Sequence, residues 1–263
     1  MANKEWNKID NQETSADDYY CAFIDILGYK EKAERFFAGE FNLEGRFERA
    51  TTSAKYLFDL SSKIVDSSEI EIKFFSDSII LLLKKSRGTI DRLFSLIQFC
   101  KTLSAHLSYE DLFVRGGISH GQHRETRLAN GASFLASTAL QKAYILESTH
   151  AKNPRILVDK ELADQLGTSK NLLLAKESDE YFVHFASQLI NSSGDNIGDV
   201  LKEMQDIQTA RDRISDLRAK EKYTWILDYY YWTLSLIQGI NMSIFSSFTP
   251  QIIRDFKLAD AAE

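Results

Sequence analysis

Short apolar runs of strand length alternate along this chain with segments of helical periodicity, and their order restricts the fold more than any other feature. The runs predict strands, since each is too short for an ordinary helix and is bounded by polar residues or glycine; they lie at 19–26, 69–75, 78–83, 111–119, 155–158 and 181–185. A returning strand over 121–128 is expected to pair with 111–119. Helical spacing predicts helices over 28–38, 43–66, 90–107 and 137–148.

The order of these elements indicates the fold class. It reads β-α-β-β-α-β-β-α with a β-α-β extension, which is a ferredoxin-like βαββαβ motif with additions. We therefore expect an α+β sandwich with helices on a mainly antiparallel sheet.

Three segments differ in character along the chain. Residues 1–17 are polar and predict a leader outside the fold, 18–194 carry the motif above, and 195–263 predict a C-terminal helical appendage. Within the last segment an aromatic-rich stripe recurs at helical spacing, which favours packing in a core or a dimer seam over a cofactor site; its members are Trp225, Tyr229, Trp232, Leu236 and Ile240.

Composition excludes several classes of protein. The 263 residues carry 32 basic and 38 acidic side chains, a net charge of −6, so the chain lacks the basic footprint of a nucleic-acid binder. The longest apolar run, Ile79–Leu83, is too short to cross a membrane, and the start of the chain does not resemble a signal peptide. Cys21 and Cys100 stand in apolar surroundings and predict buried, reduced thiols, so we expect a cytoplasmic protein without a zinc cluster.

An acidic residue stands at each of two apolar strand edges. Asp25 follows Phe23-Ile24, and Asp77 follows Phe74-Phe75-Ser76. A carboxylate between apolar strand residues is costly unless it is paired, hydrogen-bonded or bound to a cation. As a pair on adjacent strands, the two acids indicate a shared divalent ion, and hard oxygen ligands suit Mg²⁺ or Mn²⁺. The alternative is that Asp25 caps the following helix and Asp77 forms an Asx turn.

Two further features favour an anionic ligand near these acids. Gly28 and Tyr29 stand where a strand turns into a helix, so the backbone N–H groups of the helix N-terminus are available to a phosphate. Arg115 precedes Gly116-Gly117 on a central strand, where the glycines suggest a close backbone approach. Its anionic partner is either a structural carboxylate or a substrate phosphate.

Three motifs together resemble the class III nucleotidyl cyclases. They are Phe23–Tyr29, similar to F-x-D-I-x-G-F, Lys73–Asp77, similar to the second metal motif with Ser76 in place of glycine, and Arg115–Gly121, similar to R-x-G-I-x-x-G. Their order and spacing fit the family over about residues 20–150. The resemblance implies a nucleoside triphosphate substrate, a head-to-tail homodimer, and two divalent cations held by Asp25, Asp77 and the Ile26 carbonyl.

The chain departs from the purine cyclases of that family in the residues that read the base and stabilise the transition state. Lys73 matches one base-reading position, whereas Phe134 stands where an acid or cysteine is usual. Gln141 replaces the transition-state asparagine, and Ile145 replaces the transition-state arginine. Another cation must act in place of that arginine in an active enzyme, and Lys142 and Lys152 are candidates.

The divergent pattern, with Ala143–Glu147 as A-x-x-L-E, is similar to the pyrimidine nucleotide cyclases of bacterial Pycsar anti-phage defence. This implies conversion of UTP or CTP, with a slight preference for UTP, to cyclic UMP or cyclic CMP that a separate effector reads. Phe23 lies two residues from Asp25 on one strand face, so it either stacks on the nucleotide or belongs to the sheet core. The alternatives are a catalytically inactive cyclase-fold binding module and, less favoured without a GG[DE]EF string, a diguanylate synthase.

Overall fold

The computed structural model describes residues 17–62, 64–86, 90–192, 197–237, 240–248, 250 and 254–259. The predicted leader lies outside the described residues except for Asp17, which begins the first strand. None of the helices in the described ranges has the length and apolar character needed to cross a membrane.

Nine strands and nine helices are present in these ranges. The strands are β1 Asp17–Ile26, β2 Glu71–Phe75, β3 Ser78–Lys84, β4 Val114–Arg127, β5 Ser133–Ser137, β6 Ile156–Val158, β7 Leu174–Glu177, β8 Glu180–Val183 and β9 Phe256–Leu258. The helices are α1 Tyr29–Phe37, α2 Leu43–Ser61, α3 Asp91–Tyr109, α4 Thr138–His150, α5 Lys160–Gln165, α6 Lys170–Leu173, α7 Ala186–Ser192, α8 Ile197–Arg213 and α9 Leu217–Ser235.

All nine strands form one sheet in the order β2-β3-β1-β4-β6-β8-β7-β9, with β5 paired to β4. Every pairing is antiparallel except that of β4 with β6. The chain is therefore an α+β protein with a mainly antiparallel sheet, as the order of elements predicts. In this register Asp25 of β1 lies between Ser78 of β3 and Arg115 of β4.

The predicted return strand over 121–128 is wrong. β4 runs without a turn from Val114 to Arg127, and its partner on this side is β5. Gly121 is extended, and a Cβ there would lie 2.5 Å from the Thr138 hydroxyl, so this glycine serves a close approach to α4. The turn comes later, at Gly131, whose φ of +84° is costly for any residue with a side chain.

Successive side chains of β1 point to opposite faces of the sheet. Tyr20, Ala22, Ile24 and Ile26 pack in the large core with α2 and α3. Cys21 faces the other side, against Ala139 and Ala143 of α4. Both thiols are buried and free, as predicted, and burial raises the pKa of Cys21 to about 12.

Of the core and the dimer seam that the spacing allows, the aromatic part of the stripe on α9 lies in the core, whereas Leu236, just beyond α9, is exposed. Trp225 and Tyr229 are fully buried, and both rings pack against Phe182 of β8 with centroids 5.7 and 5.5 Å apart. β9 joins the sheet beside β7, so 181–185 is not the last strand as expected, and α9 and β9 share one core and sheet with the earlier segment. The division at 194/195 stays a prediction.

Candidate functional site

The two predicted metal-binding acids lie side by side at one end of the sheet. Asp25 is the penultimate residue of β1, and Asp77 occupies the two-residue turn between β2 and β3. The Ile26 N–H donates to the Asp77 carbonyl at 2.9 Å, which joins the turn to the end of β1. The residue before Asp77, Ser76, adopts a left-handed φ of 54° to form this turn. Thus Asp25, Ile26 and Asp77 meet at a single edge.

Asp25 does not cap the helix that follows it. Residue Gly28 is the N-cap of α1, with a left-handed φ of 69° and no side-chain capping bond. Tyr29 begins the helix and packs partly against the large core. The first turn of α1, residues 29–31, thus presents its N–H groups four to six residues beyond Asp25 in the chain.

Arg115 binds two carboxylates across the sheet. Its Nε donates to Asp25 Oδ2 at 2.9 Å and lies 2.8 Å from Glu147 Oε1. A guanidinium Nε carries a single proton, which is directed at Asp25, so Glu147 Oε1 is in contact without receiving a hydrogen bond. Of the two partners that the sequence leaves open for Arg115, the structure contains the carboxylate.

Glu147 is a further functional candidate. The sequence does not show that it lies close to the site. It lies on α4 and is 2% exposed. The glycines of β4 permit its position, because a Cβ on Gly117 would lie 2.4 Å from the Ala143 carbonyl oxygen. The predicted close backbone approach at Gly116-Gly117 is therefore confirmed, and it brings α4 and its glutamate against Arg115.

Lys222 adds a second cation that sequence reasoning missed. It is half-buried near the start of α9, next to Tyr223, whose ring contacts that of Phe113 at 5.7 Å. The Phe113 carbonyl accepts the N–H of Leu27, so this end of α9 lies beside the end of β1. No local signal in the sequence connects Lys222 with Asp25, because the two charges influence each other from positions far apart in the chain.

Burial and charge oppose each other within this group. Burial raises the pKa of Asp25, and Arg115 only partly offsets it. The pKa of Glu147 is likewise raised by burial, against the effect of Arg115. Burial and the nearby Arg115 lower the pKa of Lys222, while Asp25 favours its charged form. When all are ionised, Asp25, Asp77 and Glu147 outnumber Arg115 and Lys222 by one negative charge.

This group fits a divalent cation in its chemistry. Carboxylate oxygens are the ligands that Mg²⁺ and Mn²⁺ prefer, and the excess negative charge favours a cation. The unbonded Glu147 Oε1 shows that the carboxylates are not saturated by hydrogen bonds. Residues Asp25, Asp77 and the Ile26 carbonyl are the predicted ligands, with Glu147 close by.

A second charged group surrounds Lys73, the predicted base-reading residue. Its Nζ lies 2.9 Å from Glu71 Oε1 and also contacts Glu125. Burial lowers the pKa of Lys73, but the hydrogen bonds to Glu125 and Glu71 outweigh it, so the pKa is raised overall. Across the described ranges, one trio of carboxylate and imidazole ligands lies within 4.8 Å of one another, and it is Glu71, His123 and Glu125.

The remaining predicted residues do not share one face of the sheet, because Phe134 pairs with Thr126 and alternates with Leu135, which pairs with Glu125. Phe134 of β5 is 52% exposed, and Gln141 of α4 is exposed. No hydrogen bond or ion pair between these two and the Asp25 group occurs in the described part of the chain. Phe23 is half-buried and meets the Tyr144 ring edge-on at 5.3 Å, so it belongs partly to the packing of α4 on the sheet.

Comparisons with known proteins give similarity in fold. No protein-family model matches the chain, and no curated protein matches it. The adenylyl cyclase CyaB from P. aeruginosa is similar in structure, with a TM-score of 0.47, 15% identity, and a match over 65% of this chain and 96% of that one.

Two further structures are similar at the same level. The guanylate cyclase domain of RhGC from Catenaria anguillulae, in complex with GTP, gives a TM-score of 0.45 and 13% identity over 64% of this chain and 96% of that one. Adenylate cyclases from Trypanosoma brucei in their monomeric state give a TM-score of 0.44 and 12% identity over 66% of this chain and 93% of that one.

Proposed function

We propose that the protein is a metal-dependent nucleotide cyclase that acts on UTP or CTP. The observation that carries this proposal is the meeting of Asp25 and Asp77 at the ends of neighbouring strands, with Arg115 and Glu147 beside them. Two costly half-buried acids at adjacent strand ends are what a divalent-ion site requires. The three sequence motifs that resemble class III cyclases converge on this same edge.

The proposed reaction forms one bond and breaks another. The ribose 3′-oxygen attacks the α-phosphorus, and the bond from that phosphorus to the oxygen that bridges it to the β-phosphate breaks. Pyrophosphate leaves, and the proton of the 3′-hydroxyl passes to solvent. Divalent ions, when bound, polarise the α-phosphate and lower the pKa of the 3′-hydroxyl.

The chain supplies the ligands and the orientation. Asp25, Asp77 and the Ile26 carbonyl hold the cations, and the N–H groups following Gly28 and Tyr29 bind phosphate oxygens. In this proposal Arg115 exchanges its bond to Asp25 for the substrate phosphates, since a guanidinium matches either anion. Its release leaves Asp25 free to bind a cation.

Base recognition is assigned to Lys73 and Phe134. Lys73 offers N–H donors to the pyrimidine, and Phe134 offers a stacking surface in place of the acid that purine cyclases use. Phe23 adds apolar contact beside the cations, and Gln141 donates to the phosphate in the transition state. Phe134→Ala and Lys73→Ala are expected to alter the preference among triphosphates more than the requirement for metal.

The proposal extends to the role of the product. Cyclic UMP or cyclic CMP serves as a second messenger in anti-phage defence and is read by a separate effector protein. The active form is a homodimer with sites at the interface. Resemblance to the pyrimidine cyclases supports both statements.

A catalytically inactive binding module is the second candidate. The observation that favours it is Ile145, which stands where the family carries an arginine and is exposed on α4 without a charge to offer. Such a module would bind a nucleotide or a partner without turnover. Retention of both Asp25 and Asp77 favours the enzyme.

Isosteric substitution of the acids tests the proposal. Asp25→Asn and Asp77→Asn are expected to lower cyclic nucleotide formation at least about 100-fold, because the amide cannot hold the divalent ion. Circular dichroism and the melting temperature of the variants monitor folding. Asp18→Asn is the matched control, since Asp18 is an exposed acid on the same strand. Near-normal turnover in either site variant would remove the metal assignment.

A further inference from the structure

A buried imidazole lies among the side chains that surround Lys73. His123 of β4 is 5% exposed, and its Nδ1 is buried without a hydrogen-bond partner in the described residues. One ligand atom each of His123, Glu71 and Glu125 lies within 4.8 Å of the other two. A buried polar nitrogen without a partner is costly, so the group has an unused ligand.

We propose that Glu71, His123 and Glu125 form a second divalent metal site, in which the ion takes the place now held by the Lys73 ammonium. The site is separate from the Asp25 and Asp77 edge and shares no side chain with it. It is specific for ions that accept nitrogen as well as oxygen ligands.

The ligand set indicates the class of metal. One imidazole with two carboxylates is typical of Zn²⁺ and neighbouring late first-row ions such as Co²⁺, whereas Mg²⁺ prefers oxygen ligands alone. Burial lowers the pKa of His123, which keeps the ring neutral and its lone pair available. Three protein ligands leave at least one position for water or another donor.

Lys73 competes with the metal for the same carboxylates. Its Nζ contacts both Glu71 and Glu125 and neutralises part of their charge. A divalent ion brings twice the charge of the ammonium and adds the bond to His123, so the ion and the ammonium exclude each other. Removing the lysine charge must therefore strengthen metal binding, while removing any ligand must weaken it.

Occupancy of this site has a consequence for turnover. Displacement of Lys73 removes the donor assigned to the base, so Zn²⁺ would inhibit a cyclase that is otherwise supplied with Mg²⁺ or Mn²⁺. This consequence rests on the proposed function, whereas binding of the ion does not.

Titration of the full-length, metal-stripped protein with Co²⁺ and Zn²⁺ tests the site directly. Co²⁺ absorbance and Zn²⁺ calorimetry are expected to show in wild type one site that depends on Glu71, His123 and Glu125, in addition to any binding at Asp25 and Asp77. Glu125→Gln and His123→Ala should weaken binding at least about tenfold, and Lys73→Met should strengthen it about tenfold or more, since one unit of repulsive charge is removed. Asp25→Asn should leave this binding unchanged.

His120→Ala is the matched control, because His120 lies on the same strand and faces a single glutamate, Glu161, at 3.9 Å. Binding that falls in His120→Ala but not in Glu125→Gln would overturn the proposal, and so would no binding of either ion in wild type and Lys73→Met. Zn²⁺ binding without cyclase activity would leave this site standing while the proposed function fails.

Discussion

Charged residues from four elements meet at the end of β1. Asp25, Arg115, Glu147 and Lys222 come from β1, β4, α4 and α9, and Arg115 joins β1 to α4 through its contacts with Asp25 and Glu147. Burial raises the pKa of both Asp25 and Glu147, and the nearby charges of Arg115 and Lys222 oppose that rise without cancelling it.

Substitution of Lys222 is predicted to affect turnover more than folding. In the proposed enzyme its ammonium takes over the charge that the family places where Ile145 stands. Lys222→Met is expected to lower kcat about 10- to 100-fold with a smaller change in KM, as for loss of one group that stabilises transition-state charge. Lys222→Arg should recover most of the activity, because it restores the cation.

Arg218→Met is the control for Lys222, since Arg218 is an exposed cation one turn earlier on α9. It should retain the wild-type kcat. Equal losses of kcat in the two variants, or a loss in Lys222→Met that Lys222→Arg does not recover, would contradict a specific charge at this position.

Glu203 gives a pH dependence of stability. It accepts a hydrogen bond from the Tyr230 hydroxyl at 2.9 Å, and burial raises its pKa to about 7. Because the folded protein then holds a proton that the unfolded chain releases above its ordinary pKa of 4.5, wild type loses stability as the pH rises from 4.5 to about 7. The loss is at most about 3 kcal/mol, at 1.36 kcal/mol per pKa unit.

Glu203→Gln should remove this dependence. Urea unfolding at pH 5 and pH 8 is expected to show that the variant gains stability relative to wild type at the higher pH. Glu221→Gln, at an exposed position of α9, should keep the wild-type dependence. A parallel pH dependence in wild type and Glu203→Gln would show that Glu203 is ionised in the folded protein.

At the scale of elements, hydrophobic periodicity predicts most of the fold. The stripe of α3 is an example, since Leu93, Ile97, Cys100, Leu103 and Leu107 are all fully buried. Errors arise where a glycine can serve either a turn of the chain or the close approach of two backbones. The expected return strand over 121–128 is instead part of β4, where Gly121 allows the N-terminus of α4 to approach. That role depends on a helix that begins 17 residues later, at Thr138. The sequence does not predict β5, β7 or β9, although it predicts β6 and β8, which are as short as β7 and β9.

The residues of the candidate site likewise divide into those that the sequence predicts and those that it does not. Asp25, Asp77 and Arg115 are predictable, because a charge inside an apolar run has no structural reason of its own. Glu147, Lys222 and His123 are not, since each lies in a polar or helical context that looks like solvated surface. Only the tertiary structure brings them to the acids or to Lys73.

The packing of α9 on the sheet predicts that the C-terminal helices are needed for folding. Trp225 is fully buried, packs against Phe182 and donates from its indole N–H to Glu177 at 3.1 Å. Trp225→Ala is expected to lower the free energy of unfolding by about 3–5 kcal/mol, because a large cavity opens in the core. Leu236→Ala, at a position 44% exposed, should cost less than about 1 kcal/mol.

Urea denaturation of both variants measures the difference. If 195–263 were an appendage that folds apart from the sheet, Trp225→Ala would leave the main unfolding transition at its wild-type midpoint. A shift of the whole transition, seen equally by fluorescence and circular dichroism, is the outcome that the shared core predicts.

For the whole molecule, several large apolar side chains are exposed and available to the contact that the proposed dimer requires. Phe75 at the hairpin tip is 75% exposed, and Phe134 and Tyr144 are each 52% exposed. In the proposed head-to-tail dimer, one chain brings Asp25 and its partner brings Lys73 to the same site. Neither chain then completes a site alone.

Mixing two inactive variants tests this arrangement. Asp25→Asn and Lys73→Ala homodimers should each be nearly inactive toward UTP and CTP, and an equal mixture after exchange should regain about a quarter of the wild-type activity toward these two substrates. The gain arises because half of the dimers are mixed and each mixed dimer has one intact site. If both residues of a site belonged to one chain, every site would stay defective and the mixture would remain inactive.

The most direct test of the central claim is incubation of the protein with ATP, GTP, CTP and UTP together in the presence of Mn²⁺, followed by mass spectrometry. For a pyrimidine nucleotide cyclase we expect a 3′,5′-cyclic pyrimidine monophosphate and an equal amount of pyrophosphate. Both products should be absent with Asp25→Asn. A cyclic purine product would contradict the assignment of base recognition. Triphosphates left intact by the wild-type dimer with Mn²⁺ bound would contradict the cyclase itself.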